Sequence, residues 1–576
     1  MTTVTLPAAG KPSKVETIKR ASRNLRGSLA AGLADAGLSH FGEDDVQLIK
    51  MHGIYQGYDR DTATARKQQG LEKEFDFMIR AKIPAGRLTP DQYLALDALA
   101  GKYGNGNMRI TTRQDIQYHG VIKRDLKTTV AEINQALLTT LGACGDVVRN
   151  VTATPAPIAD AVHRRLQADA DMLTAALLPK TRAYHEIWID GAKLENPADD
   201  PEDALYKDAY LPRKFKIGLA TPDDNSIDVL TNDLAIIALF DGETPVGYNL
   251  AVGGGLGMTH NKPKTYPRLA TPVAFVPPAL LLAAVRAVIE TWRDHGDRSD
   301  RKHARIKYLI QEMGTPWFKA EMERRIGQPL AAPREQPAFA VIDHMGWHAQ
   351  KDGRWYLGLP IPSGRIQDGD KSKLRTGLRL VVERFRARPI LTATQDIILA
   401  DIAEVDRPWI DALLRQHAVT FAEDLTPVAR WALACPARPS CGLALSEAER
   451  IRAPLVAAIE HALTRHGLRD ERISLRITGC PNGCARPYVG DIGLVGRTPD
   501  DFAIYLGGDF EGTRLNRLVF ERVPLDEVAA TLESLFAEFA AVRRDKESFG
   551  DFCARLGPEA LRALARHVGE PAKVVA

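Results

Sequence analysis

From Phe75 the chain alternates, Phe-Asp-Phe-Met-Ile-Arg-Ala-Lys-Ile, and then stops at Pro84-Ala85-Gly86. A two-residue period running into Pro and Gly reads as a strand entering a turn. A helical pattern follows, and Met108 to Val121 reads as a second strand-like segment. Further on, Ser446 and Glu449 have capping-box spacing ahead of Ile451, Leu455, Val456, Ile459 and Leu463, which predicts a helix lasting until Gly467. Ile473, Leu475 and Ile477 alternate as a strand that ends in Thr478-Gly479-Cys480-Pro481-Asn482-Gly483-Cys484. A tight loop at a strand end leaves backbone N–H groups free to point at sulfur. Val528, Leu532, Leu535, Phe536, Phe539 and Val542 predict a last amphipathic helix. The first 70 or so residues show little sustained period apart from a helical stretch near Val15 to Ala34, and read as an extension that wraps or docks.

The pattern repeats. Ile83-Pro84-Ala85-Gly86-Arg87-Leu88 recurs as Ile361-Pro362-Ser363-Gly364-Arg365-Ile366, and Thr111-Thr112-Arg113-Gln114-Asp115-Ile116 as Thr392-Ala393-Thr394-Gln395-Asp396-Ile397. The offsets are 278 and 281, in the same order, so the chain reads as a duplicated unit. The second copy has Thr394 for Arg113 and Ile398 for Gln117, which suggests that only the first copy faces a polar ligand.

With 576 residues, two to four domains are expected. The 76 Lys and Arg against 73 Asp and Glu leave a net charge of +3, which argues against wholesale nucleic-acid binding and makes any charge selectivity local. The longest stretches without charge, Thr244 to Asn261 and Leu269 to Val285, are short of a membrane span and broken by Gly or Pro. The N-terminus has neither an apolar signal core nor twin arginines, so a cytoplasmic protein without membrane or nucleic-acid partners is expected.

Four of the six cysteines form two close pairs, Cys435-x5-Cys441 and Cys480-x3-Cys484, with 38 residues between them. Zinc sites favour about two to four residues within a pair, which the second pair fits and the first does not. An iron–sulfur cluster is a larger object and accepts wider spacing, and Gly442, Gly479 and Gly483 allow close backbone approach. Buried free thiols are the bland alternative, and spacing alone leaves all three open. Cys144 and Cys553 stand alone and read as small core residues.

Lys214-Phe215-Lys216, read as a strand, puts both ammonium groups on one side and Phe215 on the other. Two like charges on one face are unfavourable unless an anion sits between them. Gly253-Gly254-Gly255 reads equally as an anion-binding nest or a flexible turn, and His119 alone as a satisfied core histidine. No G-x-G-x-x-G turn between strand and helix offers a nicotinamide or flavin site, so electrons must come from a partner.

Cys435-x5-Cys441 followed by Thr478-Gly-Cys-Pro-Asn-Gly-Cys484 resembles the signature of the sirohaem-containing nitrite and sulfite reductases. Within that family the chain is most similar to the haemoprotein (beta) subunits of assimilatory NADPH-dependent sulfite reductases. The likeness extends to MHGIYQGYDRD (Met51 to Asp61), MRITTRQDIQYHG, VVRNVTATPAP, YLPRKFKIG and GYNLAVGGGLG, in family order, from about residue 15 onward. It implies an α+β fold of two duplicated ferredoxin-reductase-like half-domains related by a pseudo-twofold, plus two α/β sirohaem and iron–sulfur domains. The implied divisions are an N-terminal extension for partner docking (1–70), the first half-domain (71–141), a sirohaem and substrate domain (142–338), the second half-domain (339–421) and a cluster domain (422–576).

The resemblance further implies that Cys435, Cys441, Cys480 and Cys484 hold a [4Fe–4S] cluster and that Cys484 is also the axial ligand of the sirohaem iron. Sirohaem carries eight carboxylates and the substrate is an oxyanion, so cations are required. By resemblance Arg80, Arg149, Lys214 and Lys216 surround the substrate. Arg109, Thr111, Arg113, His119 and Arg213, together with Asn482, help hold the macrocycle. The implied reaction is the six-electron reduction of sulfite to sulfide, with nitrite to ammonia as the alternative. The implied partner is a flavoprotein (alpha) subunit passing electrons from NADPH in a hetero-oligomer, with ferredoxin as the alternative donor.

Overall fold

The computed structural model describes residues 10–181, 183 and 203–566, together with the backbone of 187–189 and 192–194; residues 1–9 of the expected extension lie outside them. Among the described residues the strands form four sheets of four or five strands and one two-stranded ribbon. No described helix is long and apolar enough to cross a membrane.

The repeat seen in the sequence is a repeat in space. One antiparallel sheet has the order Ile54–Tyr58, Phe75–Ala81, Ile116–Val121, Met108–Ile110, and the other Gly346–Ala349, Arg354–Leu359, Ile397–Ala403, Arg388–Leu391. The segment expected as one strand from Met108 to Val121 is a hairpin. Thr111 N–H donates to the Asp115 carbonyl at 2.9 Å, and Gln114 takes φ 57° to close the turn. Thr392 N–H donates to the Asp396 carbonyl in the same way, with Gln395 at φ 71°.

The two copies then exchange their turns. Arg365 and Ile366 pair with Arg109 and Met108 at the edge of the first sheet, while Arg87 bridges Ile390 at the edge of the second. A side chain on Gly86 would put Cβ 2.2 Å from the Leu391 carbonyl oxygen, and one on Gly364 would put it 2.3 Å from that of Ile110. Both glycines have φ above +70°, so the I-P-x-G-R turn demands glycine for conformation and for room.

A second duplication escaped the sequence reading. Strands Val148–Ala153, Phe215–Ala220, Leu234–Asp241, Thr244–Val252 and Thr271–Val276 form a sheet whose first three members are parallel and whose last two turn back antiparallel. Ala432–Ala434, Leu475–Thr478, Ile492–Gly496, Asp501–Leu506 and Arg517–Pro524 repeat that order and those directions. Each sheet is followed by two helices, Leu281–His295 and Ile306–Ile326 in one, Val528–Val542 and Phe549–Arg566 in the other. The second of each pair is kinked, at Gly314 before Pro316 and at Gly557 before Pro558.

The helical stretch expected near Val15 to Ala34 is two helices, Lys14–Ala21 and Leu29–Ala34, separated where Arg23, Asn24 and Leu25 all have positive φ. The expected weak core pattern before residue 70 gives way to real packing: Leu25, Leu29, Phe41, Leu48, Ile49, Met51 and Ile54 are buried in the main core, and Ile54–Tyr58 pairs with Phe75–Ala81. The expected capping box is not formed. Helix Glu449–Arg465 starts after Ala448, because the Glu449 carboxylate is drawn to Arg365, at 2.7 and 2.8 Å, instead of back to Ser446.

Candidate functional site

The two cysteine pairs, distant in sequence, sit at the carboxyl ends of adjacent parallel strands, Ala432–Ala434 and Leu475–Thr478. Helix Glu449–Arg465 is the crossover between them, the connection that parallel strands require. In open α/β sheets the strand carboxyl ends are where ligands bind. Gly479 N–H donates to Cys435 Sγ at 3.3 Å, as a strand-end loop allows. Burial and then the neighbouring Cys484 sulfur push the Cys435 and Cys441 thiols up, and Cys480 to about 12. Raised thiols such as Cys435, Cys441 and Cys480 become thiolates together only with a cationic metal beside them. Cys435 and Cys480 are buried, and Cys484 is exposed, its carbonyl accepting from Thr112 Oγ1 of the first half-domain at 3.1 Å.

The cations come from the opposite ends of the other mixed sheet. Arg149 lies at the start of Val148–Ala153, and Lys214 and Lys216 flank Phe215 at the start of Phe215–Ala220. Phe215 is fully buried and both lysines are half-buried, as strand alternation predicts. Neither ammonium has a hydrogen-bond or ion-pair partner among the described residues, an arrangement that calls for an anion. Burial, then Arg113 and Arg305, pull Lys216 down to about 7. Burial, then Arg213, Arg305, Lys216 and Arg149, pull Lys214 well below the usual lysine range. The Cys484 sulfur acts on Lys216 in the other direction, which places the exposed thiol and this ammonium in one field.

Arg80 and Arg149 share the Ala143 carbonyl, each donating at 3.2 Å, and Arg149 Nε donates to the Gly145 carbonyl at 2.9 Å. Arg80 also faces the Gln117 side-chain amide, whose oxygen, turned toward it, accepts at 2.5 Å; this is the glutamine that the second copy replaces with Ile398.

The residues expected around the macrocycle are gathered here, and several already have protein partners. Arg109 Nη2 donates to the Ala434 carbonyl, next to Cys435, at 2.8 Å, while its Nε faces Glu449 at 3.3 Å. Arg113 donates to Asn232 Oδ1 at 2.5 Å, to the Ile217 carbonyl at 2.9 Å and to the Asn150 carbonyl, leaving its buried Nε without a partner. Thr111 Oγ1 accepts from the amides of Arg113 and Asp115, at 3.1 and 3.2 Å. His119 meets Arg365 at 3.3 Å and is held neutral by burial and by Arg365, Arg109 and Arg80. Arg213 lies 3.9 Å from Asp146, and Asn482 hydrogen-bonds the Cys480 sulfur. The Gly253–Gly255 run is neither nest nor flexible turn. The Gly253 and Gly255 amides donate to the Asp233 and Arg268 carbonyls, and any side chain on Gly254 would lie 2.2 Å from the Asn232 carbonyl oxygen.

Sequence reasoning missed Arg60, whose Nη1 donates to the carbonyls of Cys441, Gly442 and Ala444 at 3.2, 3.1 and 3.3 Å, and Arg365 with Glu449, which brace Arg109 and His119. Two signals were present: Arg60 stands inside the MHGIYQGYDRD segment, and Arg365 ends the repeated I-P-x-G-R turn.

Two thiol pairs at adjacent strand ends, together with partnerless lysines at a strand start of a pseudo-symmetric sheet, fit an oxyanion-handling metal–sulfur protein. Comparison with known proteins agrees. The model of the nitrite and sulphite reductase 4Fe-4S domain matches residues 168–330 and 430–572. That of the nitrite/sulfite reductase ferredoxin-like half domain matches 70–136 and 348–417. Each model matching twice restates the two duplications. The chain is 46% identical over 545 residues to the sulfite reductase [NADPH] hemoprotein beta-component of Myxococcus xanthus, covering 95% of this chain and 96% of that one. It is 44% identical over 576 residues to the sulfite reductase [ferredoxin] of Synechococcus elongatus, covering 97% and 92%. The Mycobacterium tuberculosis NirA protein shares the fold, with a TM-score of 0.78 at 24% identity over 96% of this chain and 98% of that one. The chain belongs to the nitrite and sulfite reductase family.

Proposed function

We propose that the chain is the haemoprotein subunit of an assimilatory sulfite reductase, taking sulfite to sulfide in six electrons. The observation that carries this reading is the pair of partnerless ammonium groups, Lys214 and Lys216, in the field of Arg149 and Arg113, with the Cys484 sulfur acting on Lys216. The cofactors are a [4Fe–4S] cluster and a sirohaem. Cys435, Cys441, Cys480 and Cys484 would hold the cluster, and the exposed Cys484 would also ligate the sirohaem. The residues fit both groups: two thiol pairs brought to adjacent strand ends suit a metal–sulfur cluster, and the free Nε of Arg113 and the remaining donors of Arg109, Arg213 and His119 suit carboxylates. When bound, the pair supplies one electron at a time to the substrate sulfur.

The chain's own residues bind the oxyanion and handle its protons. Arg80 and Arg149, each fixed through the Ala143 carbonyl, present guanidinium edges that orient it. Sulfite sulfur goes from +4 to −2, and each departing oxygen must take protons to leave as water. Lys214 and Lys216 would supply those protons: burial among cations brings Lys216 to about 7 and Lys214 well below the usual lysine range, so each gives up a proton more readily than an ordinary lysine and can be recharged from water. An oxyanion seated between them favours their charged forms, which tightens binding before proton transfer.

Electrons are proposed to arrive from NADPH through a flavoprotein partner, because the M. xanthus relative is an NADPH-linked beta-component matched over nearly its whole length. The N-terminal segment's outer face is the proposed docking surface, and the cytoplasm the working compartment. Purified protein with both cofactors, judged by its visible spectrum and by iron and acid-labile sulfide counts, should release one sulfide per six electrons from a reduced dye. A loaded protein that makes no sulfide, or whose kcat/KM for nitrite exceeds that for sulfite, would overturn the reading. Stronger coupling to reduced ferredoxin than to the flavoprotein would overturn the donor assignment alone.

A further inference from the structure

Helix Lys14–Ala21 carries two buried charges inward: Lys19 is 0% exposed and Glu16 1%. They meet Asp146, itself buried, in a closed ionic network. Lys19 Nζ lies 2.6 Å from Glu16, 3.4 Å from Asp146 Oδ2, and donates to the Leu211 carbonyl at 2.7 Å. Arg301 grips Asp146 through both oxygens, at 2.7 and 3.1 Å. Arg298 pairs with Glu16 and donates to the Tyr210 carbonyl at 2.8 Å. Arg213 lies 3.9 Å from Asp146. Burial would raise the Asp146 carboxyl, but Lys19 and Arg301 overcome it and hold this group well below the usual carboxylate range.

The position of this network matters more than its strength. Asp146 lies three residues before Arg149, and the Gly145 carbonyl beside it fixes Arg149 Nε. Leu211 lies three residues before Lys214, and its N–H donates to the Asp146 carbonyl at 3.1 Å. One ammonium therefore bridges the side chain of the Arg149-bearing segment and the main chain of the lysine-bearing segment. We propose that Lys19 is a positioning residue of the oxyanion pocket, setting Arg149 against Lys214 and Lys216 from a helix outside both mixed sheets.

The N-terminal helix on this view belongs to the substrate site as well as to any partner. A network meant only to anchor the helix would need no contact at Leu211 and Asp146, since Arg298 already ties Glu16 to the backbone at Ala209 and Tyr210. The inference rests on the proposed oxyanion pocket and is tested separately from it.

The test uses full-length holoenzyme with Lys19→Met and Lys19→Arg. Sulfite Kd is read from the perturbation of the visible spectrum, with KM and kcat for dye-driven reduction, melting temperature and cofactor counts alongside. Lys19→Met is expected to raise Kd and KM about tenfold or more with kcat within about twofold, and Lys19→Arg to restore most of the affinity. Lys19→Gln keeps a donor for Leu211 without the charge and must show the same rise if the Met variant does not load. An unchanged Kd in a loaded variant overturns the proposal, as does failure of both neutral variants to fold or load, which would make Lys19 a folding residue only. If wild-type holoenzyme itself fails to bind sulfite, the pocket reading falls instead.

Discussion

Gly364→Ala and Gly86→Ala are matched perturbations at pseudo-equivalent turns, and the exchange of turns between copies makes their effects cross over. Each adds one methyl at positive φ, which costs about 1–2 kcal/mol for a residue with a Cβ. The new Cβ of Gly364→Ala would lie 2.3 Å from the Ile110 carbonyl oxygen and that of Gly86→Ala 2.2 Å from the Leu391 oxygen, so each backbone must retreat by roughly 0.7 Å. Overpacking of this kind adds about 1–3 kcal/mol. The expected loss is therefore about 2–5 kcal/mol for either variant. At about 2.1 cal/mol/K per residue, 576 residues melting as one unit lower Tm by about 2–4 °C.

The functional cost should differ. Gly364 belongs to the second copy but pushes hardest on Ile110, between Arg109 and Thr111 of the first; Gly86 belongs to the first copy but pushes hardest on Leu391, beside Thr392 of the second, the glutamines of their own copies, Gln395 and Gln114, lying farther off at 3.2 and 3.0 Å. A displacement approaching 1 Å at positioning residues can cost on the order of 100-fold in rate. Gly364→Ala is thus expected to lower sirohaem content and to reduce kcat/KM for sulfite by about 10–100-fold, with Gly86→Ala within about threefold of wild type at a similar Tm loss. Differential scanning fluorimetry, haem content per chain and dye-driven sulfite kinetics read the three quantities. If Gly86→Ala proves the more damaging to sulfite reduction at equal Tm loss, the crossed arrangement does not govern the site.

Lys214→Met and Lys216→Met should keep both cofactors yet lose about 100-fold or more of sulfide production; full activity in either loaded variant would remove that lysine from proton delivery. Arg60→Met removes the cap on the Cys441, Gly442 and Ala444 carbonyls, and is expected to speed bleaching of cluster absorbance in air several-fold, whereas equal bleaching rates would leave Arg60 with no role at the cluster. Asp396, which burial raises to about 7, keeps its proton in the fold between pH 4 and 7 while the unfolded chain releases it, so its contribution is present at low pH and lost as pH rises through that window. Asp396→Asn cannot ionise and should gain on wild type by about 2 kcal/mol between pH 4 and 7, after allowance for the partial exposure of the carboxyl; a Tm difference that is flat with pH would show the carboxyl is not held protonated.

What was legible in the sequence follows from how narrowly each feature constrains residues. The half-domain repeat is visible because its turns accept little else: Gly86 and Gly364 are fixed by backbone approach, and Asp115 and Asp396 by the amides of Ile83 and Ile361, at 3.2 and 2.9 Å. The second repeat is fixed only by strand order and helix kinks, which many sequences satisfy, and its loops have diverged. After Phe215–Ala220 the loop reads Thr221-Pro222-Asp223-Asp224; after Leu475–Thr478 it reads Gly479-Cys480-Pro481-Asn482. The thiols stood out because clustered cysteines are rare, whereas an arginine's freedom depends on partners that sequence distance hides. Arg109 is engaged by Glu449, Arg113 by Asn150 and Asn232, and Asp146 by Lys19 and Arg301. Arg109 and Arg113 spend part of their donors on the protein itself while Lys214 and Lys216 spend none, and how much each cation has left for a ligand is visible only in the fold. The duplication supplies the reason: one mixed sheet kept the cations at its strand starts and the other the thiols at its strand ends, so the site exists only where the two meet.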